Sequence, residues 1–224
     1  MIQSTSHGEA EPLLGRLIYR GAEADLVRGK WQGLEAVFKL RKPLPYRHPV
    51  LDDAIRRFRT LREAEMIHSA RTAGVLAPHL YLVDPPGSTL VMEFVRGARL
   101  KDVLSRASGK EASRLFESVG RNAAKLHGAG IMHGDLTTAN MIVRGRDLYF
   151  IDFGLSLHTS RLEDHAVDIR LIKETLVGAH SEVSSLALTS LVKGYSTVAG
   201  PERCRAVIRQ LRNIERRGRY ARLD

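Results

Sequence analysis

Around residue 97 the spacing of apolar residues changes, and that change limits the folds open to this chain. Before it, "GRLIYRGAEADLVRGKWQGLEAVFKLRK" alternates apolar residues with turn formers and reads as two or three antiparallel strands. "YRHPVLDDAIRRFRTLREAEMIHSARTAG" follows as a long helix: Pro49 suits its first turn, Asp52 and Asp53 favour the N-terminal dipole, and Gly74 ends it. "HLYLVDPPGSTLVMEFV" then reads as two more strands around a Pro-Pro-Gly turn. From Gly97 onward the period is helical in "GARLKDVLSRA", "KEASRLFESVGRNAAKLHGAG", "LEDHAVDIRLIKETLVGA", "SEVSSLALTSLVKGY" and an Arg-rich end. The only break is a loop and short hairpin between residues 133 and 154, whose turn is "RGRD". A sheet with one long helix and then mostly helices makes an α+β chain of two lobes with a cleft between them. The expected division is residues 1–95, 96–214 and a basic tail at 215–224.

The break carries chemistry. In "HGDLTTANMIVRGRDLYFIDFG", Asp135 and Asn140 share one loop and Asp152 lies just beyond the apolar strand "LYFI". Magnesium takes oxygen ligands and usually keeps one or two protein side chains plus substrate phosphates, so Asn140 and Asp152 make a pair of metal ligands. Asp135 is then placed to orient a hydroxyl or water for in-line attack on a phosphate. The residues match the catalytic loop and Asp-Phe-Gly pattern of kinases term by term, except that Gly134 stands where protein kinases usually have Arg. His133 reads as a brace for the loop, because the catalytic carboxylate is already supplied.

A phosphoryl-transfer site also needs a lysine and a phosphate lid. Lys39 ends "EAVFKL", a strand that would set its amine against the α and β phosphates of ATP. Its acidic partner should come from the following helix, which offers Glu63 and Glu65; periodicity does not separate them, and Glu63 is taken. "GAEADLVRG" is the lid, with Gly21 and Gly29 but without a dense Gly-x-Gly-x-x-Gly, and a plain β-turn explains it equally well. Glu23 and Asp25 would bring negative charge close to a triphosphate. "VMEFV" reads as a hinge in which Met92, Glu93 and Phe94 meet the adenine edge, though Met92 serves equally as core packing.

Charge bears on partners. With 35 Lys and Arg against 25 Asp and Glu, the formal charge is +10, which suits a polyanion. In "ERCRAVIRQLRNIERRGRYARLD", Val207, Ile208, Leu211 and Ile214 recur at helical spacing with arginines on the other faces, and the arginines run on past Gly218. Either a solvated helix or a functional basic tail fits. No apolar run is long enough to span a membrane, the first residues lack a leader pattern, and the lone Cys204 suits a reducing compartment, so a cytoplasmic location is expected.

"GAEA", "AVFKLRKPLPYRHPVLD", "RTLREAEMI", "VMEFVRG", "HGDLTTAN", "IDFGL", "EDHAVDIRLIKE" and "RRGRYAR" together resemble the small atypical kinase subunit of the KEOPS complex, over nearly the whole chain. The resemblance implies a bilobal protein-kinase-like fold and magnesium-dependent ATP hydrolysis or serine/threonine phosphorylation. It also implies partnership with the threonylcarbamoyl-transferase subunit and other KEOPS subunits that modify adenosine beside the tRNA anticodon. By motif, Lys39 and Glu63 form an ion pair, Asp135 is the catalytic carboxylate, and Asn140 and Asp152 hold metal. Asp168, in "AVDIR", resembles the buried Asp that braces the catalytic loop. The tail departs from the family at Tyr220 and Ala221, which interrupt the basic run.

Between Gly154 and the helix holding Asp168 there is no Ala-Pro-Glu motif and too little chain for a long activation segment. The expected acceptor is therefore water, the enzyme itself or a protein presented by a partner. Two other readings are a small-molecule phosphotransferase, since aminoglycoside and choline kinases share His-Gly-Asp, and a non-catalytic scaffold that binds nucleotide or RNA.

Overall fold

The structure, a computed structural model, describes residues 15–220. The N-terminal "MIQSTSHGEAEPLL" and the tail from Ala221 lie outside the described residues, as do the side chains of residues 218–220. Contacts divide the rest into two compact units, the first holding residues 15–60 and 80–94, the second 61–79 and 95–220.

In the first unit, β1 (Arg16–Arg20), β2 (Ala24–Trp31) and β3 (Leu34–Arg41) run antiparallel before α1 (Pro49–Thr72), followed by β4 (Leu80–Asp84) and β5 (Thr89–Glu93). The sheet order is β1-β2-β3-β5-β4, so β3 and β5 lie inside it. Alternation along β3 buries Ala36 and Phe38, which pack with Val91 of β5 and the half-buried Val27, Trp31, Leu40 and Tyr81. Trp31 meets Phe38 edge to face at 6.3 Å.

Helix α1 starts at Pro49, whose missing N–H costs nothing in a first turn, and has Asp52 there to meet the dipole. Its residues up to Thr60 belong to the first unit and those from Leu61 to the second. Gly74, at φ +77°, turns the chain out of the helix, and Val75 N–H closes on the Ala70 carbonyl at 3.0 Å.

The second unit continues with β6 (Ala98–Arg99), α2 (Leu100–Leu104), α3 (Gly109–Gly128), β7 (Ile131–Met132), β8 (Met141–Arg144), β9 (Asp147–Phe150) and β10 (Leu157–His158). Three helices complete it: α4 (Leu162–Ala179), α5 (Ser181–Ala199) and α6 (Pro201–Tyr220). The stretch beginning at Gly97 is thus a two-residue strand before it is a helix, because Ala98 and Arg99 pair with Val143 and Ile142 at the edge of the hairpin. Ser108 caps α3, its hydroxyl accepting from the Glu111 N–H at 3.3 Å.

Helices α3 and α5 pack through glycine. A Cβ on Gly120 would lie 2.1 Å from the Leu191 carbonyl oxygen, and one on Gly194 would lie 2.0 Å from that of Glu117. Backbone therefore meets backbone at both points. Phe116, Leu126, Ile131, Leu136, Met141, Phe150, Phe153 and Ile169 form the buried interior around which the polar loop is folded. No helix among the described residues is long and apolar enough to cross a membrane.

Candidate active site

The loop that follows β7 is shaped by one position where backbone conformation is forced. Gly134 has φ +81°, and a Cβ there would sit 2.3 Å from the Leu155 carbonyl oxygen. No side chain fits, which explains physically why glycine stands where protein kinases usually carry Arg. The two N–H groups flanking this turn point at Asp168 of α4: His133 N–H donates to Oδ2 at 2.7 Å and Gly134 N–H to Oδ1 at 2.9 Å. Asp168 is fully buried, and these bonds give its carboxylate the partners that burial requires.

His133 is buried too, and its Nδ1 accepts from the Asp135 N–H at 3.3 Å. Burial pushes its pKa down, against the carboxylates of Asp168, Asp152 and Asp135 and the Ile151 carbonyl. The ring is therefore neutral and braces the loop. Ser156 donates its hydroxyl to the His133 carbonyl at 2.7 Å, tying the chain after Asp-Phe-Gly to the same point.

Asp135 and Asn140 meet directly. The Asn140 Nδ2 donates to Asp135 Oδ2 at 2.7 Å and to the Asp135 carbonyl at 3.0 Å, so its Oδ1 is left to accept or to ligate. Hairpin β8–β9 reverses at Gly145, φ +63°, and pairs Met141 with Phe150. The Ile151 N–H then donates to the Asn140 carbonyl at 3.0 Å, and Asp152 is the next residue, at φ 62°. The carboxylate of Asp152 and the Oδ1 of Asn140 are hard oxygen donors of the kind magnesium takes. Among the described residues no group of three or more His, Cys, Asp or Glu is assembled for a metal, so an ion held by this pair would complete its shell with water and phosphate.

The other expected residues fall in two places. Lys39 is on β3, opposite Leu26 of β2 and Leu90 of β5, in the first unit. Met92 is buried at the end of β5, Glu93 is half-buried beside it, and the Phe94 N–H donates to the Glu35 carbonyl at 3.1 Å. The Arg28 guanidinium lies 4.0 Å over the Phe94 ring. Gly21 is in the β1–β2 turn, its N–H closing on the Ala24 carbonyl at 2.9 Å. Glu63 belongs to the second unit and is 1% exposed, whereas Glu65 is exposed and lies 3.8 Å from His158. The two glutamates thus differ in burial.

Sequence reasoning missed the groups behind Asp168. His127 of α3 approaches Asp168 Oδ2 through Nε2 at 3.2 Å and Tyr195 Oη through Nδ1 at 2.9 Å. His165 stacks on it with ring centres 4.3 Å apart, and Arg203 donates to His165 Nδ1 at 3.1 Å and to the His127 carbonyl at 3.3 Å. Burial, then His127 and Arg203, bring the pKa of His165 down to about 4, while burial pushes Tyr195 up to about 12. The Tyr195 hydroxyl and the Asp168 carboxylate thus hold the two ring nitrogens of His127 between them. A signal did exist: His127 continues the stripe of Phe116, Val119, Gly120, Ala123 and Ala124, and His165 opens that of Ile169, Ile172 and Leu176.

Comparison with known proteins agrees with this architecture. The RIO domain family matches residues 47–174, more than half of the chain. The chain is 37% identical to the KEOPS complex subunit Bud32 of Pyrococcus abyssi, over 92% of this chain and 96% of that one. It is 39% identical to the probable bifunctional tRNA threonylcarbamoyladenosine biosynthesis protein of Methanothermobacter thermautotrophicus, over 91% of this chain but 36% of that protein. The chain thus spans about a third of the length of such bifunctional relatives. Among solved structures it resembles WaaP in complex with acyl carrier protein, at TM-score 0.65 and 15% identity over 94% of this chain and 92% of that one. It likewise resembles the Rio2 kinase–ADP/Mg2+–phosphoaspartate complex of Chaetomium thermophilum, at TM-score 0.62 and 16% identity over 88% and 70%. The fold is protein-kinase-like. The chain therefore belongs to the RIO-domain family, in the branch whose members are named KEOPS complex subunit Bud32.

Proposed function

We propose that this chain is an atypical Mg-ATP-dependent serine/threonine kinase or ATPase that serves a KEOPS complex in threonylcarbamoyladenosine modification of tRNA. The observation that carries the reading is the loop in which Asn140 holds Asp135 at 2.7 Å while Asp168 fixes the backbone beneath. Asp135 is the catalytic carboxylate: its remaining oxygen orients the acceptor hydroxyl or water. Asn140 and Asp152 are the metal ligands, and magnesium bound to them would offset charge on the phosphates. Lys39 steadies the α and β phosphates, Gly21 covers them, and Met92, Glu93 and Phe94 receive the adenine. The division into residues 1–95, 96–214 and a tail at 215–224 is part of the same proposal.

The working site is the cytoplasm, and the partners are the threonylcarbamoyl-transferase subunit and its KEOPS companions. Relatives in which about two thirds of the protein lies beyond this chain support a partner that works beside it. Contact with tRNA is proposed for the basic C-terminal tail at 215–224 together with the helix that leads into it, where the exposed Arg205, Arg209, Arg212 and Arg216 follow at spacings of four, three and four along α6. Glu215 and Arg217 reach back to Lys173 and Glu163 of α4, at 2.6 and 2.8 Å, and so dock this helix on the body.

Only residues 155–161 separate Gly154 from α4, and Thr159 N–H closes on the Gly130 carbonyl at 2.7 Å. That leaves no platform for a free peptide. The acceptor is water, the chain itself or a protein brought by a partner. ATP hydrolysis measured alone, with the transferase subunit, and with tRNA added tests the whole reading. Stimulation by either addition is expected; turnover no faster than that of Asp135→Ala under all three conditions would replace it with a non-catalytic scaffold.

A further inference from the structure

The β1–β2 turn lacks the repeated glycines that let a phosphate-covering loop flex. In their place the first unit has a set of ionic contacts. Glu23, at the tip, is held by Arg47 at 3.2 Å and by Arg59 of α1 on its other oxygen. Lys42 lies 3.0 Å from Asp25, donates its amine to the Gly21 carbonyl at 2.9 Å, and donates its backbone N–H to the Glu23 carbonyl at 2.9 Å.

These cations are themselves supported. Arg47 lies 3.6 Å from Asp52, which also takes Arg56 at 2.8 Å, and Arg56 donates onward to Ser88 Oγ at 3.0 Å. Arg41 donates to the Arg59 carbonyl at 3.4 Å. Asp52 is 2% exposed, so the network is rooted in the unit's interior. A single surface pair contributes little, but two guanidinium groups on one carboxylate, each backed by a further contact, hold geometry. Three cations face two carboxylates around the turn, so Glu23 and Asp25 do not present the repulsive charge their sequence positions suggest.

We infer that Lys42, Arg47 and Arg59 are positioning residues that clamp the Gly21–Ala24 turn in one conformation, so that the phosphates of a nucleotide are covered by an ionic latch in place of a glycine hinge. The role over a nucleotide rests on the ATP reading above; the clamp does not.

The experiment follows the full chain by amide hydrogen exchange at Gly21 and Lys42 and by the dissociation rate of MgADP. Variants are Glu23→Gln, Arg47→Lys, and the exchange of charges Glu23→Arg with Arg59→Glu. Glu23→Gln should speed both readouts by about tenfold, the loss of roughly one charge-assisted hydrogen bond. The exchanged pair should recover at least half of that, a rescue that a merely space-filling role would not give. In about 1 M NaCl the parent chain should approach Glu23→Gln, because screening falls to a few ångströms. Should Glu23→Gln fail to fold, Arg47→Lys carries the same expectation with a smaller change. Unchanged exchange in the folded variants, or an exchanged pair no better than its single parts, overturns the clamp. Absence of MgADP binding by the parent chain overturns the nucleotide reading, while amide exchange still decides the clamp by itself.

Discussion

Asp152 holds φ 62°, a conformation that costs a non-glycine residue energy and that persists where the surrounding fold requires it. It follows directly on the Ile151 N–H bonded to the Asn140 carbonyl, and in the proposed chemistry its carboxylate is a metal ligand. Asp152→Ala should lower ATP turnover by three orders of magnitude or about that, with melting temperature and partner binding kept; turnover within tenfold of the parent would remove Asp152 from the metal pair. Residue burial also fixes a pH response. His165 is neutral in the folded chain, its pKa brought to about 4 from an ordinary value of 6.5, so below pH 6.5 the unfolded chain takes a proton that the folded chain refuses. Stability contributed by His165 is thus present above pH 6.5 and is lost as pH falls toward 4. Calorimetric melting at pH 7 and pH 5 should show the drop, and His165→Gln should shrink it. Glu63 and Glu65 offer a third comparison. Glu65→Gln, at an exposed position, should change stability by about 0.5 kcal/mol or less and leave turnover unchanged, while Glu63→Gln should lower turnover at subsaturating ATP.

Elements show how far the sequence could be read and where it fell short. Alternation in β3, Pro49 and Gly74 at the ends of α1, and the Gly145 turn are local signals, and each element appears where its signal lies. The loop residues Asp135, Asn140 and Asp152 were legible for the same reason: short-range geometry fixes their neighbourhood. His127, Tyr195 and Arg203 were not, because they come from three helices and meet only through packing. The two-residue strands β6, β7 and β10 escaped notice too, since so short a run has no period. Close approach of α3 and α5 is equally invisible in either helix alone. Gly194→Val places a side chain against the Glu117 carbonyl, and backbone must move to admit it. A loss of about 3 kcal/mol in urea unfolding is expected, with the same for Gly120→Val. Gly178, with open space around its Cβ position, is the control and should tolerate alanine.

For the whole molecule, the charge of +10 matters through where it is displayed. Truncation after Ile214 would remove Arg216 but also the Glu215 and Arg217 contacts to α4, so substitution is the cleaner test. Arg209→Ala with Arg212→Ala should weaken tRNA association and reduce the slope of log affinity against log salt by about two, with ATP binding unchanged. An unaltered slope would assign the stripe on α6 to a protein partner or to solvent. On the same scale, a peptide-array screen of the chain alone should yield no sequence-selective phosphorylation.

That expectation has a second side, which concerns control in time. In kinases with a long activation segment, a phosphate added there outlasts the signal that placed it. Residues 155–161 are too few, and too closely tied to Gly130, to be rearranged in that way. A chain built like this has no activation segment in which such a memory could be kept, so that form of lasting control is closed to it.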